Sequence, residues 1–169
     1  IDAITGTIAF VESDAPTVAV TTLSVASGQT LTISAAQVSG KTISGAGTVT
    51  VTGSHSGTDL SNITSAVLDI TAATLTSPTL PSSVASGDIL TLTGAQANSA
   101  SITNSGTVRI ELSASAELAA SSDIDAITGT IAFVESDAPT VAVTTLSVAS
   151  GQTLTISAAQ VSGKTISGA

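Results

Sequence analysis

The chain has no cysteine, tryptophan, tyrosine or methionine, and its only aromatic residues are two phenylalanines. Without cysteine there is no disulfide framework and no thiolate to serve as nucleophile or metal ligand. With so few aromatics, the bulky anchors around which broad globular cores are built are missing. Basic residues are nearly as scarce: three Lys and Arg stand against twelve Asp and Glu, a formal net charge of −9. Phosphate backbones are held by clustered Lys and Arg, so nucleic acid is excluded as a partner, and an anionic bilayer surface is disfavoured for the same reason. No apolar run approaches the roughly 18 residues of a membrane span, so membrane insertion is not expected. A cysteine-free composition fits a bacterial protein exported to the cell surface or beyond, folding there without covalent staples. The sequence opens at Ile1 in mid-repeat, which leads us to expect a fragment of a longer chain with any signal peptide outside it.

What is present is aliphatic and hydroxylic. The apolar fraction is 42%, supplied almost wholly by Ile, Leu, Val and Ala, and Thr and Ser fill most other positions. Aliphatic side chains alone can fill a thin interior of about 10 Å between facing sheets. β-Branched residues favour a pleated, half-buried surface, so strand is the expected state.

The chain repeats at three scales. Ile1–Ala46 returns letter for letter as Ile124–Ala169, an offset of 123 residues. Ser24–Gly53 aligns more loosely with Ser83–Leu112 at an offset of 59, and "DLSNIT" (Asp59–Thr64) with "DIDAIT" (Asp123–Thr128) at an offset of 64. The two smaller offsets add up to the larger, so the large unit is two related half-units. Their difference in length is confined to "SHSGT" (Ser54–Thr58) against "SASAELAASS" (Ser113–Ser122), the mark of a surface loop. Residues 1–169 thus read as one continuous repeat array, with 1–123 a full repeat and 124–169 the start of the next identical one.

Within each half-unit, apolar-x-apolar triplets recur: Leu31-Thr32-Ile33, Val49-Thr50-Val51, Leu68-Asp69-Ile70, Leu90-Thr91-Leu92, Val108-Arg109-Ile110, Ile131-Ala132-Phe133 and Leu154-Thr155-Ile156. Their starts lie 18 to 23 residues apart. Period-2 alternation marks a strand with one buried face, and Gly/Ser clusters such as "SGAG" before Val49 and "TNSG" before Val108 read as corners. This pattern predicts an all-β fold, a parallel β-solenoid of about 20 residues per coil. Its winding is expected to be right-handed. Stacked at about 4.8 Å, six coils would advance each full repeat by roughly 29 Å. Leu31, Val49, Leu68, Leu90, Val108 and Leu154 are expected inside. The alternative is a string of small β-sandwich domains, which normally carry an aromatic core anchor and Pro-containing linkers. Neither occurs at the repeat boundary between Ser113 and Ile127.

Candidates for chemistry are few. His55, the only histidine, would need an acidic or nucleophilic partner placed by the fold to act in catalysis, and it reads as an exposed polar turn residue. Glu12 and Asp14, their copies Glu135 and Asp137, and the pair Asp123 and Asp125 are the candidate calcium ligands. Calcium needs six to eight oxygens, however, and a solvated acidic turn is the simpler reading, so no cofactor is expected. Carbohydrate-cleaving β-helix enzymes need clustered carboxylates or basic residues in a groove. Lys41, Lys164 and Arg109 do not furnish one, and an enzyme gains little from a perfect internal copy, so the chain is not expected to be an enzyme. Thr-x-Thr elements such as "TVTVT" (Thr48–Thr52) raise ice binding, but Asp69, Arg109 and Ala132 interrupt the series of outward positions.

With "LTISAAQVSGKTISGAGTVTVTG" followed by "DLSNI", the whole chain resembles the Thr/Ser-rich tandem arrays of very large, adhesin-like bacterial surface proteins. It departs from calcium-binding nonapeptide arrays, having no G-G-x-G-x-D run. The resemblance implies an extracellular stalk, fibre or surface layer, with an adhesive role as its extension. Partners would be further copies meeting it end to end or laterally, or cell-surface and matrix components.

Overall fold

The computed structural model describes residues 8–9, 20–112, 122–124, 126–135, 145–148, 151 and 153–168. They belong to two compact units, Ile1–Ser82 and Ser83–Ala169, each wound as a parallel β-solenoid. The boundary coincides with the start of the second half-unit at Ser83.

The first unit contains β1 (Ile8–Ala9), β2 (Thr22–Ser24), β3 (Thr30–Ser34), α1 (Ala35–Val38), β4 (Thr42–Ser56), β5 (Ile63–Asp69) and β6 (Ala73–Thr76). The triplets form one ladder, Ile8 to Leu31 to Val49 to Leu68. A second ladder runs from Leu23 to Ile43 to Ile63. On a third side Gly53–Ser56 pairs with Ala73–Thr76, continued by a bridge between Asp59 and Thr79. One long strand, β4, therefore contributes to all three sides of its coil.

The second unit contains β7 (Ser83–Val84), β8 (Ile89–Thr93), α2 (Gly94–Ala97), β9 (Ile102–Leu112), β10 (Ile127–Glu135), β11 (Thr145–Val148), β12 (Leu154–Thr155), α3 (Ala158–Val161) and β13 (Thr165–Gly168). Its triplet ladder runs Leu90, Val108, Ile131, Leu154. Beside it, Ser83 pairs with Thr103 and Ile102 with Ile127, while Leu146 pairs with Ile166. Every strand pairing described within the two units is parallel, which rules out antiparallel sandwiches.

The aliphatic rows form the interior. Leu31, Ile33, Val49, Val51, Leu68 and Ile70 are buried in the first unit, and Leu90, Leu92, Val108, Ile110 and Phe133 in the second. Leu154, expected inside with them, is only half-buried. Among the described residues its rung is paired by β10 alone, whereas its identical counterpart Leu31 lies between Ile8 and Val49. Stacking on both sides, and not the triplet itself, buries a residue here.

The sharp corners lie elsewhere than in the Gly/Ser clusters. "SGAG" falls inside continuous β4 and "TNSG" inside β9. The real corner is Val25–Gln29, where Gln29 N donates to Ala26 O at 3.0 Å and Gly28 sits at φ +75°, as a type II turn requires at its third position. Val84–Asp88 repeats it, with Asp88 N donating to Ala85 O at 3.0 Å. The corner docks on the next coil: Gly47 N donates to Val25 O, and Thr48 N to Gln29 O, both at 2.9 Å. "SHSGT" is likewise not a free loop, because Ser54–Ser56 form the third-side strand. Most of its longer counterpart lies outside the described residues.

Three one-turn helices occupy equivalent places. Ser34, Thr93 and Ser157 cap them, each hydroxyl accepting from the backbone N–H of Gln37, Gln96 or Gln160. After α1 the chain turns through Gly40 at φ +71°; after α2 the equivalent residue is Ser99 at φ +61°. The left-handed region costs a non-glycine residue about 1–2 kcal/mol, part of which glycine returns as unfolded-state entropy. Ser99→Gly is therefore expected to stabilise the second unit by about 0.5–1 kcal/mol, and Gly40→Ser to destabilise the first by a similar amount. Urea denaturation of the pair checks both signs.

Candidate functional site

The carboxylates are best understood from the turns they serve. Asp59 Oδ1 accepts from Ser61 N at 3.0 Å and from Ser61 Oγ at 2.6 Å. Asp69 does the same with Thr71 N at 3.0 Å and Thr71 Oγ1 at 2.7 Å. Each aspartate opens a tight turn, closed by Ile63 N to Leu60 O and by Ala73 N to Ile70 O, both 3.1 Å. The buried aliphatic after the aspartate, Leu60 or Ile70, plugs the coil.

Asp123, a calcium candidate, stands at the same station. Its turn closes through Ile127 N to Ile124 O at 3.0 Å, and Ile124 is buried. Its backbone holds the end of α2: Asp123 N donates to Asn98 Oδ1 at 2.8 Å and Asp123 O accepts from Ser99 N at 2.6 Å. Asp59 holds α1 identically, its N–H donating to Ser39 Oγ at 3.0 Å and its carbonyl accepting from Gly40 N at 2.9 Å. This aspartate station joins one coil to the next.

Glu135 ends β10 in register with Leu112. Glu12, Asp14, Asp125 and Asp137 lie outside the described residues. Among the described residues no group of three or more His, Asp or Glu gathers as a metal-binding cluster.

The two hydrogen bonds from Ser61 hold the Asp59 carboxyl below its ordinary value. A group whose pKa is depressed by folding contributes stability that is complete above its unfolded pKa, about 3.9, and is lost as pH falls through the folded value. Melting temperature is thus expected to fall below about pH 4. Asp59→Asn should flatten that fall while leaving the neutral-pH melt nearly unchanged, since the amide oxygen can still accept. Thermal melts from pH 7 to 2 measure it.

His55 lies on β4 and not in a turn, half-buried, with Nδ1 2.9 Å from Oγ1 of buried Thr58. A threonine hydroxyl without an acid behind the imidazole is not a nucleophile–base–acid relay.

The outward hydroxyls form rows. In the first unit Thr30 meets Thr48, Thr32 meets Thr50 and Ser34 meets Thr52, but the next rung brings Val67 and Asp69. In the second, Thr91 is buried and in register with Arg109, which is followed by Ala132. A flat threonine lattice does not extend past two rungs on this side. Shorter rows run along the other sides, Thr22 with Thr42 and Ser54 with Thr74 among them.

One polar residue escaped notice in the sequence. Asn104 points inward from "TNSG", buried, with Nδ2 donating to Thr130 O at 2.8 Å across two coils. Its place on an inward ladder opposite Val84 was the available signal, masked by reading the cluster as a corner.

No protein-family model matches this chain, and no curated protein or solved structure matches it.

Proposed function

We propose that this chain is a length-giving structural segment of a large extracellular bacterial protein, serving as stalk, fibre or surface layer. One observation carries the reading: the letter-for-letter copies reinstate the same pairings. Ile8 pairs with Leu31 and Ile131 with Leu154; Thr22 pairs with Thr42 and Thr145 with Thr165. A repeat that re-forms its own rungs adds coils without needing a new interface, so copying yields length. The acidic, cysteine-free composition supports export, and the aspartate stations support a structural role for these residues, the Asp59 carboxylate shaping its turn and the backbone joining coil to coil. On this reading the segment is not an enzyme and needs no cofactor. Its contacts are with further copies, and an adhesive contact with a cell surface or matrix would be carried by such a stalk. Ice binding has less support, because the threonine rows stop at Val67 and Asp69.

The test is dimensional. Proteins carrying one, two and three copies of the 123-residue unit should lengthen by about 29 Å per copy at constant cross-section, read by small-angle scattering and electron microscopy. Growth in all dimensions, or no growth in length, would overturn the proposal.

A further inference from the structure

The chain holds three asparagines, Asn62, Asn98 and Asn104. An asparagine side chain is open to attack by the backbone nitrogen of the next residue, and the attack is fastest where that residue is small and the segment is free to turn. Asn62 is followed by Ile63, whose two heavy atoms on Cβ crowd the nitrogen. Asn104 is buried, with its Nδ2 donating to Thr130 O at 2.8 Å. Asn98 is exposed and followed by exposed Ser99. It closes α2, and it does so unlike its counterparts. After α1 and α3 the corresponding pairs are Ser39-Gly40 and Ser162-Gly163, with the glycines at φ +71° and +70°, whereas after α2 a serine takes φ +61°.

We infer that Asn98–Ser99 is a latent deamidation and isomerisation site, guarded by its joint with Asp123. In the reaction Ser99 N attacks Asn98 Cγ, and the new N–Cγ bond closes a five-membered succinimide. The Cγ–Nδ2 bond breaks, and the proton lost from Ser99 N passes through solvent to Nδ2, which leaves as ammonia. Water then opens one of the two ring carbonyl–nitrogen bonds, giving aspartate or isoaspartate. Both reacting groups are held by Asp123 in the folded chain: Ser99 N donates to Asp123 O at 2.6 Å, and Asn98 Oδ1 accepts from Asp123 N at 2.8 Å. Attack must give up the first bond, because the ring nitrogen carries no hydrogen, so the reaction is confined to moments of local opening. The left-handed serine has its account in the same chemistry. Glycine would relieve the conformation but would leave the attacking nitrogen unshielded beside an amide, and at Gly40 and Gly163 the preceding serine has no amide to lose. Isoaspartate inserts a methylene into the main chain between α2 and the next coil, which unfastens this joint irreversibly. The inference goes beyond the stalk reading and does not rest on it, since the chemistry belongs to the turn whatever the parent protein does.

The experiment follows the whole chain and a synthetic peptide, Thr93–Thr103, in mildly alkaline buffer, by mass spectrometry of proteolytic fragments with isoaspartate distinguished from aspartate. Conversion at Asn98 is expected in the peptide, at least about tenfold slower in the folded chain, and at the peptide's rate in the chain unfolded by urea. The Ser99→Gly peptide should react faster than the native one. Asp123→Pro, which removes the N–H that Asn98 Oδ1 accepts, should take away most of the protection in a folded chain. If that variant does not fold, the native chain against its peptide and the two peptides against each other decide. No conversion in the native peptide, equal rates in peptide and folded chain, equal rates in the two peptides, or full protection in a folded Asp123→Pro chain would overturn the inference.

Discussion

Leu31→Ala is expected to cost the first unit about 2–4 kcal/mol, and Leu154→Ala to cost the second under about 1 kcal/mol. The two leucines share the same sequence neighbours over Ile1–Ala46 and its copy, so local propensity cancels in the comparison. What differs is the stack. Leu31 is 2% exposed with partners on both faces, and truncating it removes the transfer free energy of its lost carbons and leaves a cavity between two coils. Among the described residues Leu154 is paired by β10 alone and is half-buried, and a truncated side chain there leaves a surface dent that water fills. Guanidinium denaturation of both variants measures the contrast. Equal losses would show that burial in this fold is set within a coil and not between coils.

Gly106→Ala should be nearly as damaging, at about 3 kcal/mol, and for a different reason. A Cβ at Gly106 would collide with the carbonyl oxygens of Ala85 and Asp88 in the corner that docks on it. The Asp88 carbonyl also accepts from Thr107 N at 2.9 Å, so relieving the clash breaks a rung at the start of the ladder. Gly28→Ala is the control. Gly28 has φ +75° but open space around it, so alanine there pays only the left-handed conformational penalty of about 1 kcal/mol. Thermal and urea unfolding of the two variants separate close approach from backbone conformation. Equal effects would refute the steric account of Gly106.

The ladder positions were legible in the sequence because a triplet of period 2 recurring every 18 to 23 residues has few other physical readings. Parallel pairing in register, Leu31 with Val49 and Leu90 with Val108, follows from that spacing. Other features were less visible. Gly and Ser near Val49 suggest a bend when only local conformation is considered, but Gly45 and Gly47 are small because the preceding coil's Val25 corner lies against them. That is a contact across some twenty residues, which local turn rules do not see. The one-turn helices were overlooked because they are too short to show helical periodicity. Their trace was the hydroxyl-x-x-Gln spacing of Ser34 with Gln37 and Thr93 with Gln96. As for the carboxylates, Asp123 looks like a ligand when counted with Asp125 and like a joint when aligned with Asp59. The alignment is what exposes the joint, since at both stations backbone hydrogen bonds to the preceding helix end do the holding.

The docking of each corner onto glycine also bears on how a chain of near-identical coils avoids mispairing. Slippage is the characteristic error of such chains, because neighbouring coils offer similar aliphatic rungs. If β3 skipped β4 and paired with β5, the register that puts Val67 where Thr48 belongs would bring Ala66 beneath the Val25–Gln29 corner in place of Gly47. Its methyl group would meet the obstruction found for a Cβ at Gly47, at Ala26 O and Val25 Cγ1. The aliphatic rungs are permissive and would accept the wrong partner. The corner is not, and it works as a proofreading contact that admits the next coil and rejects the one after.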